Sequence, residues 1–95
     1  MRFYYDSKID KSGRINIRGK FKAQTLVVFY VNDNEDYVHL AIYNSSVAQV
    51  PKNAIYTVDS KGRVCMPKCF RKNAKRVLIS TDSPSELILK LVDED

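Results

Sequence analysis

The feature that most limits how this chain folds is that it nearly repeats itself. The segment Lys8-Ile-Asp-Lys-Ser-Gly-Arg-Ile-Asn-Ile17 lies against Thr57-Val-Asp-Ser-Lys-Gly-Arg-Val-Cys-Met66 at an offset of 49 residues, and the match runs without a gap from residues 8–43 to residues 57–92. Seven of the 36 aligned columns are identical: Asp10/Asp59, Gly13/Gly62, Arg14/Arg63, Phe21/Phe70, Val28/Val77, Asp33/Asp82 and Leu40/Leu89. Average composition gives about two by chance. Further columns keep apolar character, among them Ile9/Val58, Ile15/Val64, Ile17/Met66, Val38/Leu87 and Ile42/Leu91. Two copies are too few for a stacked array. They suit one core with a pseudo-two-fold axis, as in a homodimer fused into one chain. A length of 95 residues agrees, since it makes one small domain with a thin core. The expected organisation is a single domain over residues 1–95, with repeat 1 at 8–43, a link at 44–56 and repeat 2 at 57–92.

Each copy reads as four short strands and one short helical turn. In copy two, Asp59-Ser-Lys-Gly62 is a turn, with Asp suited to its first position and Gly to the one that needs positive φ. A type I turn closed by a left-handed Gly gives a tight, bulged hairpin. A strand follows over Arg63–Met66, with Val64 and Met66 inward. Pro67 stops it and fits the first position of a helix over Lys68–Lys72, with Phe70 pointing in. Arg76–Ser80 is a third strand, Asp82–Ser85 a turn, and Glu86–Val92 a fourth strand with Leu87, Leu89 and Leu91 on one face. Copy one repeats the pattern with a turn at Asp10–Gly13, Ile15 and Ile17 inward, and a third strand at Leu26–Val31. A loop at Asn32–Asp36 then precedes a fourth strand at Tyr37–Tyr43, with Val38, Leu40 and Ile42 inward. The expected fold is mostly β, a small closed barrel, which removes exposed sheet edges.

Charge follows the same repeat. The chain carries 16 basic and 11 acidic residues, for a formal charge of +5. Residues 8–22 hold Lys8, Lys11, Arg14, Arg18, Lys20 and Lys22 against Asp10, a local +5. Residues 57–76 hold Lys61, Arg63, Lys68, Arg71, Lys72, Lys75 and Arg76 against Asp59, a local +6, and the rest of the chain is −6. Solvated loops are often charged, but a segregated basic footprint is the electrostatic signature of nucleic-acid binding. No apolar run approaches the ~20 residues of a membrane span. The start, Met1-Arg-Phe-Tyr-Tyr-Asp6, has no secretory apolar region, so the expected location is cytoplasmic, associated with the nucleoid when DNA is bound.

The segment Val58-Asp-Ser-Lys-Gly-Arg-Val-Cys-Met-Pro-Lys-Cys-Phe-Arg71 resembles the signature of the AbrB, MazE and SpoVT superfamily. That signature is a hydrophobic residue and Asp, two variable residues, Gly-Arg, a hydrophobic strand, Pro, then a short helix ending in Arg. The two-copy arrangement is similar to MraZ. Copy one departs from the pattern, with Arg18 in place of Pro, Gly19 after it, and Lys22 in place of the helix Arg. The resemblance implies a swapped-hairpin barrel and a DNA-binding regulator or antitoxin. It carries Arg63, Arg71 and Lys72 of copy two, and Arg14 and Lys22 of copy one, toward DNA, while Ala23 breaks the second set. A third basic position falls on Ser7 and Tyr56, so that contact is lost. Lys11, Lys20, Lys61 and Lys68 flank these positions and complete the candidate nucleic-acid-binding set. Arg suits phosphate or guanine edges, and Lys offers a point charge to phosphate.

Each feature also has a plainer role. Arg14 and Arg63 either contact DNA or pair with Asp10 and Asp59 across their own hairpins. Asp10, Gly13, Asp59, Gly62 and Pro67 are turn and strand-end residues. Cys65 and Cys69 are too few, with His39, for a zinc site, and packing is the expected role. His39 lies on the face opposite Val38 and Leu40, where a surface or cross-strand role is expected rather than that of a ligand. The tyrosines fall mostly in strands and pack there, although they also offer stacking platforms for single-stranded nucleic acid.

No phosphate loop, nucleophile elbow or His-centred ligand set is present, and one histidine leaves little for acid–base chemistry. The expected function is a sequence-specific double-stranded DNA-binding regulator, without enzymatic activity, cofactor, metal, membrane or small-molecule substrate, and able to self-associate. The alternatives are an antitoxin-like interaction module, for which the short stretch after the last strand leaves no toxin-wrapping tail, or an RNA or single-strand binder.

Overall fold

The computed structural model describes residues 3, 5–32, 36–44 and 54–93. Within them the chain forms eight strands and one helix. The first half supplies β1 (Tyr5–Lys8), β2 (Arg14–Asn16), β3 (Leu26–Val31) and β4 (Val38–Ile42). The second supplies β5 (Ile55–Thr57), β6 (Arg63–Cys65), α1 (Lys68–Arg71), β7 (Arg76–Ser83) and β8 (Glu86–Val92). Most of the link (45–53), loop residues 33–35, Tyr4 and the last two residues lie outside the described residues. The described end of the link is strand, since β5 starts at Ile55.

Six strands form one antiparallel sheet in the order β1-β7-β8-β4-β3-β5, and β2 pairs with β6 as a separate ribbon. Exchanging each first-half strand for its second-half counterpart reverses that order and leaves every pairing intact. The first strand of each half therefore lies on the third strand of the other: Ser7 sits opposite Val77, and Tyr56 opposite Val27. The ribbon is symmetric too, with Ile15 opposite Val64, Arg14 opposite Cys65 and Asn16 opposite Arg63. The two sheets do not close into a barrel, which corrects the expected closure. The described strands leave β1 and β5 as the sheet's outer strands, and the ribbon covers its inner face instead.

Alternation explains what fills the space between ribbon and sheet. Ile15, Ile17, Val64 and Met66 pack with Val27, Phe29, Leu40, Val77, Ile79, Leu87 and Leu89, all nearly or fully buried. Each such side chain is worth roughly 1.5–3 kcal/mol on burial. The third strands correct the ungapped alignment by one residue. The inward pairs are Val27 with Val77 and Phe29 with Ile79, an offset of 50 rather than 49, and Val28 is only half-buried. Four further expectations change. Ile42 ends its strand exposed. The turn after β7 tightens to Pro84-Ser85, because β7 runs on to Ser83 through an irregularity after Thr81. Pro67, with extended ψ, precedes α1 rather than opening it. Copy one forms no helix: Arg18 and Gly19 both take left-handed φ, 54° and 72°, which a right-handed turn does not admit.

His39 takes the cross-strand role rather than the surface one, between Tyr30 of β3 and Glu86 of β8. It is 6% exposed rather than on the surface. Its Nδ1 lies 2.7 Å from Glu86 Oε1, and the Tyr30 hydroxyl donates to the same oxygen at 2.5 Å. The Tyr30 and His39 rings stack at 4.8 Å and 13°. A polar group on the second face of a central strand is tolerated here because it is hydrogen-bonded.

Candidate nucleic-acid interface

The two hairpin tips are built by the same bonds. Asp10 Oδ1 accepts from the backbone N–H of Ser12 and of Arg14, both at 2.9 Å, and Oδ2 accepts from Arg14 Nε at 2.9 Å. Asp59 accepts in the same way from Lys61 and Arg63, at 2.9, 2.8 and 3.0 Å. Gly13 and Gly62 close the turns at φ 82° and 76°, where only glycine is unstrained. The backbone N–H of Arg14, followed by the rest of the turn's donors, holds the Asp10 carboxyl below the usual range against a smaller opposing effect of burial. The Arg63 N–H does the same for Asp59. Arg14 and Arg63 are thus tied to their own turns through Nε.

Interleaving then brings the tips together with their neighbours. Met66 N–H donates to Gly13 O at 2.8 Å, and Ile17 N–H donates to Gly62 O at 2.9 Å. Each tip rests on the other half. Arg71 of α1 lies against Gly13, close enough that a Cβ there would meet Arg71 Nε at 2.9 Å, while that Nε donates to Met66 O at 3.0 Å. Gly62 instead faces the backbone of Gly19, 3.2 Å from where its Cβ would stand.

Lys11, Lys22, Lys61, Lys68 and Lys72 are exposed, Lys20 and Arg71 half-exposed. Lys11, Lys68, Arg71 and Lys72 share the wall of one cavity of about 400 Å³, joined by Lys75. Lys75 belongs to the basic segment 57–76 but not to the candidate set, and the convergence was not visible to sequence reasoning, because Lys11 belongs to one half and the other four to the second. Arg18 lies elsewhere, its guanidinium 4.3 Å over the Tyr5 ring, and burial raises the Tyr5 phenol against that cation's opposing pull.

Cys65 and Cys69 are both exposed free thiols rather than packed groups. Cys65 sits at the outward position of β6 between buried Val64 and Met66, and its Sγ contacts Ser12 O at 3.5 Å. Among the described residues, no three His, Cys, Asp or Glu side chains gather to hold a metal. Among the same residues, no helix is long and apolar enough to cross a membrane. No protein-family model, curated protein or solved structure matches the chain.

Proposed function

We propose that the protein is a sequence-specific double-stranded DNA-binding regulator, built from two copies of one half in a swapped-hairpin arrangement of the AbrB, MazE and SpoVT type. The observation that carries this reading is the exchange of first strands between halves, with an Asp-x-x-Gly-Arg tip leading into each strand of the antiparallel β2–β6 ribbon, one at either end. Exposed lysines that make no ion pair among the described residues belong to the two basic segments, and the acidic excess lies elsewhere in the chain. Lysines that release counterions from phosphates are the main source of affinity for duplex DNA. Arg14 and Arg63 hold the tips in shape through Nε and leave their terminal nitrogens for a partner.

Duplex affinity measured against salt tests the reading. The logarithmic slope is expected to be steep, about −0.9 for each phosphate contacted. Replacing Lys61 and Lys68 together by Ala is expected to lower it by about two units. Duplex DNA that fails to bind at low salt, or a slope that ignores these changes, overturns the proposal.

A further inference from the structure

The cavity between the first hairpin and α1 is lined by far more cations than the equivalent positions of the other half supply. Its cations are Lys11, Lys68, Arg71, Lys72 and Lys75. The corresponding positions on the other side are Ser60, Gly19, Lys22, Ala23 and Thr25. The last match is structural: Ile9 N–H donates to Lys75 O as Val58 N–H donates to Thr25 O. Five cations thus stand against one. The acidic residue on the wall, Asp10, already gives both carboxylate oxygens to its turn and to Arg14. Arg71 donates through Nε to Met66 O and lies over the Gly13 backbone. The lysines make no ion pair among the described residues.

We propose that this composite cavity is the protein's principal phosphate site, so that the protein meets its partner with a direction rather than as a symmetric dyad. The proposal rests on the DNA-binding reading for the source of the phosphate, a duplex backbone. The chemistry alone also admits a free phosphorylated molecule. Both halves build the site, since the first hairpin supplies Lys11, α1 supplies Lys68 and Arg71, and the segment after it supplies Lys72 and Lys75.

The test compares two triple variants by duplex affinity against salt, with amide spectra to verify folding. Lys11→Ala, Lys68→Ala and Lys72→Ala together are expected to lower the slope by two to three units. Lys20→Ala, Lys22→Ala and Lys61→Ala together are expected to lower it by about one. Equal losses overturn the inference and leave duplex binding standing. A second arm titrates the wild-type protein with inorganic phosphate and follows amide shifts, expected to centre on Lys11 and on residues 68–75. Shifts spread evenly over both hairpins, or none at all, overturn it independently of any DNA. If phosphate binds there and duplex does not, the site stands and the DNA-binding reading falls.

Discussion

The Asp10–Gly13 and Asp59–Gly62 tips share every internal bond, yet they rest on different surfaces. The first sits on the guanidinium of Arg71, the second on the Gly19 backbone. Where the backbone must reverse, the bonding needs of the turn allow few residue types, and both tips meet them alike. Around the tips only solubility and the partner constrain the side chains, and there the halves part, five cations on one side answering to one cation and four small or polar residues on the other. Likeness therefore marks what the fold requires, and difference marks where the protein's surface is specialised.

The core should show the likeness most strongly. Leu40 and Leu89 are counterparts and both fully buried. Leu40→Ala and Leu89→Ala are each expected to cost about 2–5 kcal/mol in urea denaturation. Losses that differ by more than about 1 kcal/mol would break the equivalence of the halves at their centre. The glycines come next. Alanine at either position must hold a left-handed φ, at about 1–2 kcal/mol. Gly62→Ala is expected to cost more than Gly13→Ala, because it presses on backbone rather than on a movable side chain. Gly13→Ala should instead displace Arg71 and weaken phosphate binding, which amide shifts would read. A reversed order of stability would show that Arg71 is the more rigid neighbour.

That part of the comparison was legible in the sequence, because turn chemistry and the alternation of Ile15, Ile17, Val64 and Met66 are local. The third-strand slip was not. Leu26-Val-Val-Phe-Tyr-Val31 is apolar or aromatic throughout, so alternation gave it no phase. The burial of His39 depends on Glu86, 47 residues away, and strand order depends on pairings between halves. The composite cavity escaped for the same reason, although its cations were individually conspicuous.

Acid should reach both tips alike. Hydrogen bonds depress Asp10 and Asp59 in the folded state, so the stability they add is full above the unfolded value near 4 and is lost as pH falls through and below it. Amide protection at Ser12 and Lys61, measured against intrinsic exchange at each pH, is expected to fall together below about pH 4. In Asp10→Asn the change should vanish at Ser12 alone. Protection that is flat with pH at both amides would remove the carboxylates from the account. The smallest effect belongs to an edge that the halves do not share. Arg76 pairs with Asp6 at 2.9 Å between β7 and β1, both partly exposed, whereas Leu26 and Ile55 occupy the β3 and β5 edge. Asp6→Ala is expected to cost under about 1 kcal/mol in the same denaturation experiment. A larger loss would mean that this edge depends on the pair.

The exchange of first strands has a kinetic and thermodynamic consequence. Neither half owns a complete sheet, so neither gains stability until the other arrives, and unfolding is expected to be a single transition. The two halves meet at the effective concentration of a tether rather than that of the solution. Unlike a dimer of separate chains, the shared core then keeps one melting temperature on dilution. Its two faces also answer to separate codons, so one can gain a charge that the other lacks.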